Sequence, residues 1–296
     1  CIRDREWVEL LREAEEAMRP LRGPSPVDPG DPEARRDAGA RERLNRLILN
    51  GLQFTVASAR SVYSMVEILD GLDLRLPVIE FNGGYVSEFS TQRSLVCHSI
   101  ERPLALAVTE LALSAGTPPI FSTQVDGQQR VHLPNGDLNA GQHWYLRDRE
   151  EASDPRPRSH VGPHRMPEER IVCITLIDRE RPLLPIREAA RMRFGASLQT
   201  HLFENRYCPG WYWLTFHAAN ATKAHALEWL AERHGFAMEQ VTVFGDDLND
   251  LPMFQAAGKG IAVANAHPAI KSVCTELIGP HHENSVVDYL ERVTRT

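Results

Sequence analysis

No apolar run in this 296-residue chain approaches the ~20 residues a membrane-spanning helix needs, and no short apolar stretch near its start reads as a secretory signal. The expectation is a soluble, cytoplasmic protein with no membrane partner. A basic excess is missing too: the net charge of −7 runs against nucleic-acid binding, which leaves a basic footprint. The cysteines (Cys1, Cys97, Cys173, Cys208, Cys274) are scattered, odd in number and nowhere at zinc-ligand spacing. They read as buried or inert thiols of a reducing compartment, not as a disulfide framework. Twelve histidines are many, yet no H-E-x-x-H or H-x-H pair occurs, which argues against a histidine metal centre.

What is present is an ordinary globular composition, 42% apolar and 25% charged, over a length that allows two domains or one core with a large insertion. Residues 2–18 read as an amphipathic helix, with Trp7, Leu10, Leu11, Ala14 and Met18 at spacings of three and four. Arg22 to Pro32 is rich in breakers and holds neither helix nor strand. From Ala40 the pattern is regular. A helix over 40–49 stops at Asn50-Gly51, a strand follows at 54–57, a helix at 62–69 and a strand at 78–81 that ends on Asn82-Gly83. Strand, helix, strand in so short a span predicts a βαβ unit and a parallel sheet.

The middle, 85–218, differs in texture, with Pro, Gln, His and charged loops around strand-like runs such as 171–177 and 210–216. It predicts an inserted α+β domain. Alternation returns over 219–296: a helix that Asn220 can cap and Gly235 stops, the strand 241–244 running into Gly245-Asp246, a short helix with Pro252 in its first turn, and the strand 261–264. The segments 40–84 and 219–296 are expected to fold together as a doubly wound, Rossmann-like α/β core around the insertion, with 1–39 an atypical N-terminal segment.

Three short motifs could carry chemistry. In Phe244-Gly245-Asp246-Asp247-Leu248-Asn249-Asp250 a strand delivers clustered carboxylates to its C-terminal end, where open parallel sheets hold ligands. Such carboxylates repel one another unless a hard cation of the Mg²⁺ type neutralises them; the plainer alternative is a turn and a helix cap. Lys223 stands near a helix start, where a cation is unfavourable unless an anion joins it; alone it reads as a surface lysine. Ser58-Ala59-Arg60 puts a hydroxyl between a strand and a helix N-terminus, either a phosphate cradle or a simple cap.

In this order and on these elements, the three motifs resemble the second, third and fourth motifs of haloacid-dehalogenase-type (HAD) phosphatases. The Cof-like branch is the nearest likeness: Ser58-Ala59-Arg60, the strand ending in Asn82-Gly83, Thr222-Lys223-Ala224, Gly245–Asp250 followed by Met253, and Ala264-Asn265-Ala266-His267-Pro268 all resemble its runs. The resemblance is close over 45–84 and 219–296. It implies a Mg²⁺-dependent phosphomonoester hydrolase working through an aspartyl-phosphate on a small phosphorylated metabolite, with sugar phosphates the family-level expectation. It implies that Ser58 hydrogen-bonds the phosphoryl group and that Lys223 neutralises it. Asp246 would ligate Mg²⁺, with Asp250 and Asn249 completing the metal site by orienting its water and ligands. Ala59, Arg60 and Asn82 would line the phosphate side, with a structural role the equal alternative for Arg60 and Asn82, and the inserted domain would serve as a cap that closes over the site. His201, Asn205, Tyr207 and Trp211–Trp213 are candidates to face substrate, with packing of the cap core the alternative for the aromatics.

The family's first motif, a strand followed by D-x-D, is not legible. Asp28 and Asp31 are spaced by three with prolines after both, and Asp37 has neither a strand before it nor a partner two residues on. Three explanations stand: a pseudo-phosphatase that has lost the motif, a carboxylate supplied by another element, or a reading-frame error over 22–39. The last is favoured, because Met18-Arg19-Pro20 resembles a natural start and the family pattern resumes abruptly near Ala40. If the polypeptide is made as written, unpaired strand edges where the first-motif strand belongs predict weak stability or poor solubility.

Overall fold

The computed structural model describes residues 7–10, 32–151, 153–156, 158–161, 166–205, 208–280 and 283–294. Strand β1 (Trp7–Leu10) precedes helix α1 (Pro32–Leu49), β2 (Gln53–Val56), α2 (Val62–Ile68), β3 (Val78–Glu80), β4 (Tyr85–Ser87) and β5 (Ser94–Cys97). Helix α3 (Arg102–Ser114) leads to the hairpin β6 (Ile120–Val125) and β7 (Gln128–Pro134). Then come α4 (Ala140–Glu151), β8 (Arg158–Val161), β9 (Arg170–Asp178), α5 (Glu180–Phe194), β10 (Leu198–Glu204) and β11 (Tyr212–Ala218). The remainder alternates: α6 (Lys223–His234), β12 (Val241–Gly245), α7 (Leu251–Ala256), β13 (Lys259–Val263), α8 (Pro268–Lys271), β14 (Glu276–Ile278) and α9 (Ser285–Thr294).

The chain divides into two compact units. One takes in the described residues up to Gly83, Ser87–Gln92 and those from Lys223 on; the other takes in Gly84–Val86 and those from Arg93 to Thr222. The first unit is built on a parallel sheet of order β14-β13-β12-β1-β2, which a parallel bridge between Ala57 and Ile79 carries on to β3. Its strands read as continuous apolar runs because they are buried on both faces: Val241, Val243, Phe244, Ile261, Ala262 and Val263 are all in the core. Helix α9 contributes Val286, Val287 and Leu290 to that core and sets Tyr289 edge-on against Phe244 at 5.4 Å. Arg43 of α1 bonds Glu291 of α9 at 3.0 Å.

Two expectations change near the N-terminus. Within the stretch read as a helix over 2–18, Trp7–Leu10 is a strand lying between β12 and β2 and parallel to both. Tertiary pairing outweighs the local periodicity there: a slot between two strands offers two rows of backbone donors and acceptors, and an extended segment satisfies both. The edges expected to stand open are therefore paired. Helix α1 also begins earlier than Ala40, at Pro32, a residue whose fixed φ and missing N–H suit a first helical position. Asp37 thus lies inside a helix, not at a strand end, while Asp28 and Asp31 lie outside the described residues.

The second unit carries a six-stranded sheet of order β10-β11-β9-β6-β7-β8, antiparallel except where β8 runs parallel to β7. Helices α3 and α5 cover one face, with Val108, Ala112, Leu183, Ile186 and Ala190 packed in one cluster with Phe121, Ile174, Leu176, Leu214 and Phe216. Trp144 of α4 packs with Ile120, Ile177 and Trp213 on the other face, meeting Trp213 edge-on at 6.0 Å. Beyond that apolar patch the same face turns polar and buries Cys173, Thr175 and His217 together.

Candidate active site

Because β2 and β12 run parallel within one sheet, the residues that follow them emerge at the same end. Ser58 stands two residues past β2 and Asp246 one past β12. Gly245 closes β12 and has to be glycine for lack of room: a Cβ there would lie 2.8 Å from the Asp250 Cβ and 2.8 Å from the Phe254 ring. The chain then turns through a short 3-10 segment, Leu248–Asp250, which the Asp247 carboxylate caps by accepting the Leu248 N–H at 2.7 Å.

Asp250 is the hub of this loop. Its Oδ2 accepts the backbone N–H groups of Asp246 and Asp247, each at 3.1 Å, and its Oδ1 takes the Lys223 ammonium at 2.9 Å. Lys223 and Asp250 are both buried. Removing two charges from water is costly, and here the cost is offset by pairing and by two amide donors on the same carboxylate. Helix α6 begins at Lys223, so the residue ahead of it is Thr222, two positions later than the cap expected at Asn220. The helix stops as expected at Gly235, whose left-handed φ of 77° lets the Phe236 N–H return to the Ala231 carbonyl at 2.9 Å. Asp246 is held from the other side by the His267 N–H, which donates to its carbonyl at 2.7 Å.

The Ser58 loop is stitched to the segment 79–82. The Ser58 N–H donates to the Ile79 carbonyl (2.8 Å), the Asn82 N–H to the Ser58 carbonyl (3.0 Å) and the Phe81 N–H to the Arg60 carbonyl (3.1 Å). The Ser58 hydroxyl oxygen accepts the Arg60 N–H at 3.1 Å. Ser58 is buried, Ala59 exposed and Arg60 half-buried. Three consecutive residues of the adjoining turn have positive φ: Phe81 at 50°, Asn82 at 55° and Gly83 at 99°. For the two that are not glycine this costs about 1–3 kcal/mol each and persists only where the surroundings hold it. The turn directs Asn82 inward, where its Oδ1 accepts the Asn249 Nδ2–H at 3.1 Å. Bonded links therefore run from the Ser58 loop through Asn82 to Asn249, beside the Asp250–Lys223 pair.

Among the described residues no three His, Cys, Asp or Glu side chains cluster as a complete metal centre. The acidic loop does offer hard oxygen donors of the kind Mg²⁺ takes. Asp250 has both oxygens engaged, by Lys223 and by the Asp246 and Asp247 amides. In the second unit, Trp213 is buried with Trp211 packed against its cluster, and His201 meets His217 at 5.8 Å between ring centroids. Tyr207 lies outside the described residues. Burial pushes the thiols of Cys97 and Cys208 up and that of Cys173 up to about 12, so these cysteines stay protonated and unreactive. One buried carboxyl of the first unit, Glu80, sits in a strand whose apolar neighbours mask it in the sequence. A lone carboxylate between Ile79 and Phe81 was the available signal.

The haloacid dehalogenase-like hydrolase family matches residues 35–290. Pyridoxal phosphate phosphatase YbhA of Escherichia coli is 35% identical over 71 residues, a match covering 24% of this chain and 26% of that protein. The 5-amino-6-(5-phospho-D-ribitylamino)uracil phosphatase YwtE of Bacillus subtilis is 23% identical over 272 residues, covering 86% of this chain and 90% of that protein. Among solved structures, the HAD subclass IIB sugar phosphatase BT4131 superposes with a TM-score of 0.62 at 17% identity, over 88% of this chain and 92% of that one. With its parallel sheet, its acidic loop after β12 and the family match over residues 35–290, the chain belongs to the haloacid dehalogenase-like hydrolases.

Proposed function

We propose that this protein is a Mg²⁺-dependent phosphomonoester hydrolase acting on a small phosphorylated metabolite, with a sugar phosphate the leading class. The observation that carries the reading is the buried Lys223–Asp250 pair at 2.9 Å, with Asp250 also holding the Asp246 and Asp247 amides. A cation fixed at the sheet's C-terminal end, near Asp246 and on the same sheet edge as Ser58, suits an incoming phosphate. Phosphoryl transfer asks mostly for positioning and charge stabilisation of this kind. Asp246 would hold Mg²⁺, with Asn249 and Asp250 ordering its surroundings, and the bound ion would neutralise charge on the phosphoryl oxygens. Ser58 would donate its hydroxyl to the phosphoryl group, Lys223 would offset its charge, and Arg60 and Asn82 would support that side. The inserted unit would act as the cap that excludes water and selects the substrate.

A second reading, a phosphate-binding regulatory protein without turnover, is favoured by one observation: no D-x-D follows a strand in the sequence as written. One assay separates the two. Hydrolysis of p-nitrophenyl phosphate that needs Mg²⁺ and vanishes in Asp246→Ala supports the enzyme; phosphate binding with no turnover supports the regulator. Reading the DNA across residues 15–45 in its other two frames tests the reading-frame explanation, and the lack of any D-x-D-x-T-like peptide would sink it.

A further inference from the structure

Glu80 is fully buried, and each of its carboxyl oxygens is engaged. Oε2 accepts the N–H of Val62, the first residue of α2, into which the Ser58 loop feeds. Oε1 accepts the hydroxyl of Ser87, at the end of β4 beyond the turn. Between these anchors lie the Ser58 loop on one side and the left-handed turn Phe81-Asn82-Gly83 on the other, joined by the three backbone bonds from Ser58, Asn82 and Phe81. A turn with two strained non-glycine residues has no local reason to keep its shape. A buried carboxyl that ties its leading strand to the helix after Ser58 and to the strand after Gly83 supplies one.

We propose that Glu80 is a positioning residue of the phosphate site, fixing the Ser58 loop and the Asn82 turn against each other without touching the phosphate. The proposal rests on the reading of Ser58 as a phosphate ligand. A carboxylate in this place would repel a phosphate if exposed to it. Glu80 instead turns its two oxygens to a helix amide and a hydroxyl. The Val62 N–H is thereby held by Glu80, and the Ser61 hydroxyl accepts the Ser64 N–H of the same helix.

The test is a double-mutant cycle on the full chain, read by inorganic phosphate binding in calorimetry and by hydrogen exchange of the 58–62 amides. Loss of a buried acceptor predicts phosphate binding weakened ~10-fold in Glu80→Ala, and Glu80→Gln, which can still accept from Val62, restores it. If Glu80 acts through Ser58, Glu80→Ala has no further effect on phosphate binding in a Ser58→Ala background. The exchange of the 58–62 amides quickens in Glu80→Ala while that of 241–245 does not. Should Glu80→Ala fail to fold, Val62→Pro deletes the N–H that Glu80 holds at a position where proline fits a helix start, and the same pattern is expected. Equal losses in both backgrounds, or unchanged 58–62 exchange, overturn the proposal. Wild-type protein that binds no phosphate overturns the phosphate-site reading instead, and the exchange data then decide the positioning role alone.

Discussion

The Lys223 ammonium sits 2.9 Å from Asp250 Oδ1 with both side chains buried, and the other Asp250 oxygen holds two amides of the loop that presents Asp246. The pair therefore joins the start of α6 to the acidic loop. Removing one partner leaves an uncompensated buried charge, so Lys223→Met is expected to cost about 3–5 kcal/mol of stability. The double variant Lys223→Met/Asp250→Leu replaces the pair with apolar volume and is expected to recover part of that loss. Urea unfolding of the three proteins checks this; a double variant less stable than Lys223→Met would count against the pair as the cause.

Asp246 differs from Asp250 in being half-buried. Its backbone N–H donates to Asp250 and its carbonyl accepts the His267 N–H. Asp246→Asn keeps both bonds, so its melting temperature should stay within ~4 °C of the parent, a shift of at most about 1 kcal/mol for a chain of this size. Mg²⁺-dependent hydrolysis should fall by at least about 10²-fold, the scale seen when one electrostatic stabiliser is removed. Unchanged activity would remove Asp246 from the proposed metal site.

Gly245 tests how tightly the loop is built. A Cβ there meets Asp250 and Phe254 at 2.8 Å, and Phe254 is also pressed against Gly260, where an added Cβ would come within 2.4 Å of the ring. Phe254 is confined by Gly260, and Asp250 is held by Lys223 and two amides. Gly245→Ala is expected to destabilise by about 1–3 kcal/mol as an overpacking change and to weaken Mg²⁺-dependent activity by moving Asp250. A stable, fully active Gly245→Ala protein would show that the loop yields freely.

The elements that carry the candidate site were legible because each is local. A strand that ends in Gly-Asp, a hydroxyl after a strand and a lysine at a helix start are each written in consecutive residues. Their placement follows from alternation of strand and helix. What was not legible depends on partners far apart in the chain. Trp7–Leu10 has helical periodicity, and only the slot between β2 and β12 makes it a strand. Glu80 looks like a stray carboxylate until Val62 and Ser87 are brought to it. The pairing of Lys223 with Asp250 also needed coordinates, since the sequence offers several similar carboxylates in one loop.

The second unit makes a prediction of its own about pH. Burial pulls the His217 imidazole down to about 3, helped by repulsion from His201, so the folded protein keeps it neutral beside Cys173. An unfolded histidine takes a proton near pH ~6.5. Between those values the unfolded chain binds a proton that the folded chain does not, so stability falls as pH drops through this window. The expected slope reaches about 1.4 kcal/mol per pH unit once the unfolded histidine is fully charged. Carboxylates held below their usual range, Glu169 and Asp154 among them, add their own losses only at lower pH. Melting temperatures between pH 6.5 and 5 should therefore fall in the parent and fall less steeply in His217→Gln. Parallel curves for the two proteins would show that His217 is not the group responsible.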